Sequence, residues 1–214
     1  MTTLIETVRI HEGRAPLWAL HRERLRRSAE ALGVPVPELA EPSGGDDRII
    51  RLAVHAGGVG LVERDLPSIG PIALATSPAP HRGYPHKVEE RSWLEAARLS
   101  VQSLGADDAL LLDAQGMVVE ATQWAIGWWE GEQLHFPPLF LRGLPSVARA
   151  RLAETVRGGI RATPLGRDAL AWRSLVACNA ARGLVPVDSL DGEPVPGNLR
   201  TEAVMGRFWS RPPG

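Results

Sequence analysis

Between Leu17 and Leu32 the chain carries a helical repeat whose apolar stripe is interrupted by charge, and any fold it adopts must answer that charge. At about 100° per residue, Leu17, Leu20, Leu25, Ala31 and Leu32 fall on one side. Pro16 suits the first turn, and Gly33 and Pro35 are stop signals. His21, Arg24 and Ser28 lie along the middle of the stripe, whereas Arg22, Glu23, Arg26, Arg27 and Glu30 lie outside it. A buried arginine is costly unless an anion is paired with it. The partner is either an internal carboxylate or the phosphate or carboxylate of a ligand, because the planar guanidinium suits both. In the second case the helix is one wall of a site.

The flanking segments are short and strand-like. Thr3 to Ile10 alternates apolar and polar residues as a half-buried strand does, with Glu12-Gly13 as the following turn. Val36 to Asp47, rich in proline, glycine and acids, is a surface loop. Arg48 to Val54, Gly60 to Arg64 and Ile72 to Thr76 are strand candidates between glycine-rich turns, so the first part of the chain predicts an α+β unit with an antiparallel sheet. Gly57-Gly58-Val59-Gly60 lacks the lysine and hydroxyl of a phosphate loop and the spacing of a dinucleotide fingerprint, and is expected to be a hairpin turn. Ser77-Pro78-Ala79-Pro80 is a stiff connector, which places a small domain at 1–80 and a larger one at 81–214.

The connector delivers the chain to Lys87, the only lysine; the other 23 of the 24 basic side chains are arginine. Arginine stays protonated and cannot form a Schiff base, so a chain that spends arginine on nearly every charge needs lysine where a neutral amine must attack a carbonyl. The competing reading is one lysine left by chance. Val88 to Leu104 is predicted to be a helix with Leu94, Ala97, Val101 and Leu104 inward. Arg91 then lies one turn beyond Lys87, where its charge favours the neutral amine; alternatively it pairs with Glu90 or Glu95.

Ala109 to Asp113 and Met117 to Thr122 read as a hairpin around Ala114-Gln115-Gly116, with Glu120 either on an exposed face or buried opposite a cation. Trp124, Trp128 and Trp129 follow in a strand that supplies core or subunit contact. Ser146 is a natural N-cap for a helix over Val147 to Arg157, ended by Gly158-Gly159, and the free amides there could bind phosphate. Leu175 to Cys178 and Val185 to Val187 are strands around the turn Asn179 to Gly183, and Asn198 to Trp209 is a terminal helix.

The balance of 24 Lys+Arg against 25 Asp+Glu gives no electrostatic case for nucleic acid or an anionic membrane as partner. One cysteine, Cys178, leaves no internal disulfide or thiol-rich metal site, and no apolar run is long enough to span a bilayer. A cytoplasmic protein is expected.

In their order, these segments resemble the class IV aminotransferases, the fold-type IV pyridoxal-phosphate enzymes that include branched-chain and D-amino-acid aminotransferases and aminodeoxychorismate lyase. The resemblance rests on Glu6-Thr7-Val8-Arg9 followed by His21-x-x-Arg24-Leu25-x-x-Ser28, on Lys87, on Gly105 to Asp113 leading to Glu120, on Leu144 to Arg149, and on Asn179 to Val187. It implies a two-domain α+β fold with pyridoxal 5'-phosphate in the interdomain cleft, and a homodimer. It implies further that Lys87 carries the cofactor and moves the substrate proton, that Glu120 faces the pyridine nitrogen, and that Arg24, Ser146 and the amides of Val147 and Ala148 hold the phosphate. Asn179 and Ala180 fall in the late cofactor loop, and Arg91 and Ala181 on the substrate side. Ala125 and Phe136 stand where the family commonly has asparagine and threonine, and Ser146-Val147-Ala148 replaces the usual Gly-Ile-Thr.

Lys87-x-x-x-Arg91 resembles the lyase branch, which releases pyruvate and 4-aminobenzoate in folate biosynthesis, and the tyrosine common after the lysine in branched-chain enzymes is missing. Lyase is therefore the expected reaction, amino-acid transamination the alternative, and a non-catalytic descendant with the same fold the third.

Overall fold

The computed structural model describes residues 2–210. Its first sheet is a three-stranded antiparallel meander: β1 (Leu4–Ile10), β2 (Arg48–His55) and β3 (Gly58–Arg64), in that order. The β2–β3 hairpin closes on Ala56 and Gly57, with His55 opposite Gly58, so the glycine run is the expected turn. Helix α1 (Trp18–Leu32) lies between β1 and β2 in sequence and ends on Gly33 in the left-handed conformation. Val8, Ile10, Trp18, Ile50 and Leu52 form one packed cluster, and Leu4, Leu25, Ala29 and Val54 another. Alternation along β1 thus sends one face to α1. Thr7, on the other face, together with Ile49 and Arg51, looks onto a cavity.

The second sheet is larger and mixed. Its strands are β4 (Ile72–Thr76), β5 (Asp108–Leu112), β6 (Val118–Ala121), β7 (Ala125–Glu130), β8 (Gln133–Phe136), β9 (Ile160–Ala162), β10 (Leu175–Asn179), β11 (Gly183–Leu190) and the short β12 (Glu193–Pro194). They run in the order β6-β5-β4-β11-β10-β7-β8-β9, with β12 beside β11; the β4–β5, β4–β11 and β8–β9 pairs are parallel. The change of sheet falls between Arg64 and Ile72, upstream of the Ser77–Pro80 connector. The fourth strand candidate belongs to the larger sheet because its apolar residues Ile72 and Leu74 pack into the cluster of Leu110, Ile126, Trp128 and Val187.

Helices α2 (Ser92–Gln102), α3 (Val147–Thr155) and α4 (Leu199–Met205) complete the chain. Helix α2 begins four residues later than its apolar period suggests. The cause is β1: Ile5 N–H donates to the Lys87 carbonyl (2.8 Å), Glu89 N–H donates to the Thr3 carbonyl (2.9 Å), and Val88 bridges Leu4. Residues 87–89 are thereby held extended at the strand edge, and Arg91 stands outside the helix at its cap, not on a helical face above Lys87. Ser146 caps α3, accepting the Arg149 N–H at 3.2 Å, and α3 stops two residues short of Arg157. Helix α4 is capped by Asn198 and is shorter than the expected 198–209.

The tryptophans are core, not surface. Trp124, Trp128 and Trp129 are 3%, 0% and 6% exposed, and β7 lies inside the sheet between β8 and β10, which removes that strand as a candidate subunit contact. Gly127 on β7 is packed so closely that a Cβ would meet the His135 carbonyl at 2.7 Å and the Phe136 ring at 2.9 Å. Backbone on a paired strand cannot withdraw, so Gly127→Ala is expected to destabilise by about 1–3 kcal/mol, measured by denaturant unfolding, whereas alanine at Gly60, nearest heavy atom 3.9 Å, is expected to cost under ~1 kcal/mol.

Candidate active site

The anion that Arg24 requires is Glu6. The β1 face that packs on α1 places the Glu6 carboxylate, 2% exposed, against the polar stripe of the helix. Arg24 Nε donates to Glu6 Oε1 at 2.8 Å, Arg24 Nη2 donates to Oε2, and His21 Nδ1 lies 2.6 Å from Oε2. Burial opposes ionisation of Glu6, but the Arg24 charge and the hydrogen bonds from His21 and Arg24 outweigh it and hold the carboxyl at about 2. Arg24 Nη1 also donates to the Pro145 carbonyl at 3.2 Å, so the pair reaches the turn that opens α3. The internal carboxylate therefore answers the buried arginine, and Arg24 itself is not part of the cavity wall.

That cavity, about 350 Å³, lies against the first sheet on one side and the loops of the second on the other. Its size is that of a small-molecule site. Lys87, Glu120, Ser146, Asn179, Ala180, Ala181 and Arg91 all line it, so seven of the residues singled out from sequence converge there. Val147 and Ala148 do not; their side chains pack into the core beneath α3.

Lys87 sits on the extended segment beside β1. Desolvation, with the charges of Arg24, Arg91 and Arg51, depresses its amine to about 7 against an opposing pull from Glu6. Near neutral pH this favours the unprotonated amine, the form that attack on a carbonyl requires. Arg91 contributes that effect through space although no helix joins the two residues. Neither Glu90 nor Glu95 takes it as a partner: Glu90 Oε1 accepts from the Ser92 backbone N–H and hydroxyl, and Glu95 pairs with Arg98.

Glu120, on β6, is buried. Its Oε1 is 2.9 Å from His81 Nε2, and its Oε2 accepts the Leu144 N–H at 3.0 Å. Asn179 holds the late loop, Oδ1 accepting the N–H of Ala181 (3.1 Å) and of Arg182 (2.8 Å). Sequence reading missed three of the guanidinium groups on the wall, Arg51, Arg64 and Arg182. Arg51 is paired with Glu89 at 3.0 Å, Arg182 stacks over Trp124 with its Cζ 5.1 Å from the ring centroid, and among the described residues Arg64, Arg91 and Arg182 have no acidic partner. A composition of 23 arginines gives no means of telling these from the solvated ones.

A depressed amine and a buried carboxylate on one cavity fit an aldehyde cofactor with a basic ring nitrogen, the start of α3 at Ser146 fits its phosphate, and the guanidinium groups fit a further anionic ligand. Among curated proteins none matches the chain. Residues 47–190, more than half of the chain, match the family described as amino-transferase class IV, whose cofactor is pyridoxal phosphate. Similar solved structures include a Legionella pneumophila protein given the provisional description 4-amino-4-deoxychorismate lyase (19% identity, 96% of this chain and 91% of that one, TM-score 0.80). They also include the Escherichia coli branched-chain amino acid aminotransferase (18% identity, 100% and 86%, TM-score 0.82) and a Brucella abortus aminotransferase solved with pyridoxal phosphate (18% identity, 97% and 88%, TM-score 0.81). At these identities the likeness is one of fold, and it confirms the α+β fold-type IV architecture. With the family match it establishes that this chain is a member of the class IV aminotransferases.

Proposed function

We propose that the chain is a pyridoxal-phosphate-dependent lyase that converts aminodeoxychorismate to 4-aminobenzoate and pyruvate. The supporting observation is the guanidinium wall: Arg64, Arg91 and Arg182 face the cavity without acidic partners among the described residues, and this substrate carries two carboxylates besides its amine. A branched-chain amino acid has one carboxylate and an apolar side chain, which leaves that wall unanswered. The same wall fits a dicarboxylic amino acceptor, so amino transfer is the second reading.

In this proposal Lys87 would carry the cofactor in the cavity it lines with Glu120, and Glu120 would face the ring nitrogen. Ser146 and the α3 amides of Val147 and Ala148 would hold its phosphate, with Arg24 bracing that turn through Pro145. Asn179 and Ala180 border it, and Arg91 and Ala181 border the substrate. When bound, the cofactor supplies an electron sink for the carbon that bears the substrate amine. Lys87 would take the proton from this carbon and return one to the departing pyruvate. The carbon–oxygen bond to the pyruvyl group breaks as the ring becomes aromatic, so no water or oxidant is consumed.

Measuring 4-aminobenzoate release beside amino transfer to 2-oxoglutarate separates the readings, and activity in the second assay alone sinks the lyase. Protein that neither binds pyridoxal phosphate nor turns over is a non-catalytic family member. Arg182→Met is expected to raise KM for the dicarboxylate about 10- to 100-fold with a smaller change in kcat, the size of one lost hydrogen bond to a charged group. The homodimer and the cytoplasmic location belong to the same proposal; among the described residues no helix is long and apolar enough to cross a membrane.

A further inference from the structure

We infer that His81 is a positioning residue that fixes the orientation of Glu120. The inference rests on the reading that Glu120 meets the cofactor's ring nitrogen. The Gly83 N–H donates to His81 Nδ1 at 3.0 Å, so that nitrogen carries no proton. In the neutral imidazole the proton is then on Nε2, 2.9 Å from Glu120 Oε1, and His81 is the donor of that bond. The Leu144 N–H donates to the other oxygen at 3.0 Å. Each carboxylate oxygen therefore meets a hydrogen-bond donor from a different segment, which fixes the plane of the carboxyl group.

The imidazole is itself held. Its side chain is 1% exposed, the Trp93 ring meets it edge-on at 5.3 Å, and the His81 backbone N–H donates to the Leu112 carbonyl at 2.6 Å. Gly83 adopts φ +83°, and Tyr84 N–H donates to the Arg142 carbonyl at 2.7 Å, so the turn that orients the imidazole is anchored on the chain leading into Leu144. The same short segment ends at Lys87. One loop thus presents both Lys87 and the donor that holds Glu120. The sequence singles out neither the tautomer nor the partner of His81.

The test compares binding of pyridoxal phosphate with that of its analogue having carbon in place of the ring nitrogen, in unmodified protein, His81→Gln and His81→Phe, with cofactor-free thermal unfolding as the check on folding. His81→Phe keeps the packing against Trp93 without a donor, and is expected to lose about ten- to hundredfold in affinity for pyridoxal phosphate but under about threefold for the analogue. His81→Gln, which retains an N–H toward Glu120, is expected to recover most of the loss. Equal loss for both ligands in His81→Phe means a structural histidine only, and overturns the proposal. Equal affinity of the unmodified protein for the two ligands overturns the underlying reading of Glu120 and the proposal with it. Nitrogen NMR of the unmodified protein gives a check independent of any variant: a proton on Nδ1 overturns the assignment, and one on Nε2 supports it.

Discussion

Lys87→Ala is expected to bind pyridoxal phosphate without the visible absorbance of a lysine adduct and to lose at least about a thousandfold in turnover, because the chain has no other lysine to replace it. Absorption spectra before and after borohydride reduction check this. In the unmodified protein the rate of cofactor capture should rise with pH and level off above about 7, the value to which burial and the arginine charges bring the amine. The same depression costs stability. Between about 7 and the unperturbed 10.5 the unfolded chain holds a proton at Lys87 that the folded one lacks, so native stability rises with pH across that window. Lys87→Met should therefore stabilise the cofactor-free protein by a few kcal/mol at and below pH 7, the gain shrinking toward zero near pH 10.5. A gain independent of pH would mean that the amine is not depressed.

The second large effect belongs to Glu6. Its replacement by glutamine leaves Arg24, 9% exposed, without the carboxylate that binds it through two nitrogens, and removes the anion from His21. Breaking a buried pair from one side costs roughly 3–5 kcal/mol, or about 6–20 °C in Tm for a chain of this size. The double variant Glu6→Gln with Arg24→Met should cost less than the sum of the two single changes, since each single change strands a charge. The acid limb carries the same signature. Glu6, depressed from 4.5 to about 2, contributes stability that is present above about 4.5 and lost as pH falls through 2, and Glu6→Gln should flatten that part of the unfolding profile. Equal sensitivity to acid in both proteins would show that the carboxylate is not held ionised by its partners.

Both effects follow from residues that sequence reading picked out for local reasons. The stripe of His21, Arg24 and Ser28 announced a buried cation because a helix of known period shows which side chains share a face. Lys87 stood out because arginine cannot do its chemistry. Glu120, Ser146 and the turn at Asn179 were legible as an acid in an apolar strand, an N-cap and a loop, the order of family segments joined them, and the cavity wall includes all three. The strands were legible for the same reason: alternation and turn residues act over a few positions, and β1, β2 and β3 run close to where the pattern puts them.

What lies beyond local pattern needed the folded chain. The apolar period of Val88 to Leu104 is truly helical only from Ser92, because the β1 edge offers the backbone at Lys87 and Glu89 hydrogen bonds that a helix would have to forgo. That Glu6 is the carboxylate paired with Arg24 was decided by packing: β1 places it on the face that α1 covers, 18 residues away in sequence. The guanidinium wall assembles Arg64, Arg91 and Arg182 from a hairpin strand, a helix cap and a late loop, and His81 finds Glu120 across 39 positions. Residue type and spacing thus determined which chemistries this protein holds; only the tertiary structure decided which of them face one another, because charge pairing and desolvation depend on distance in space and not along the chain.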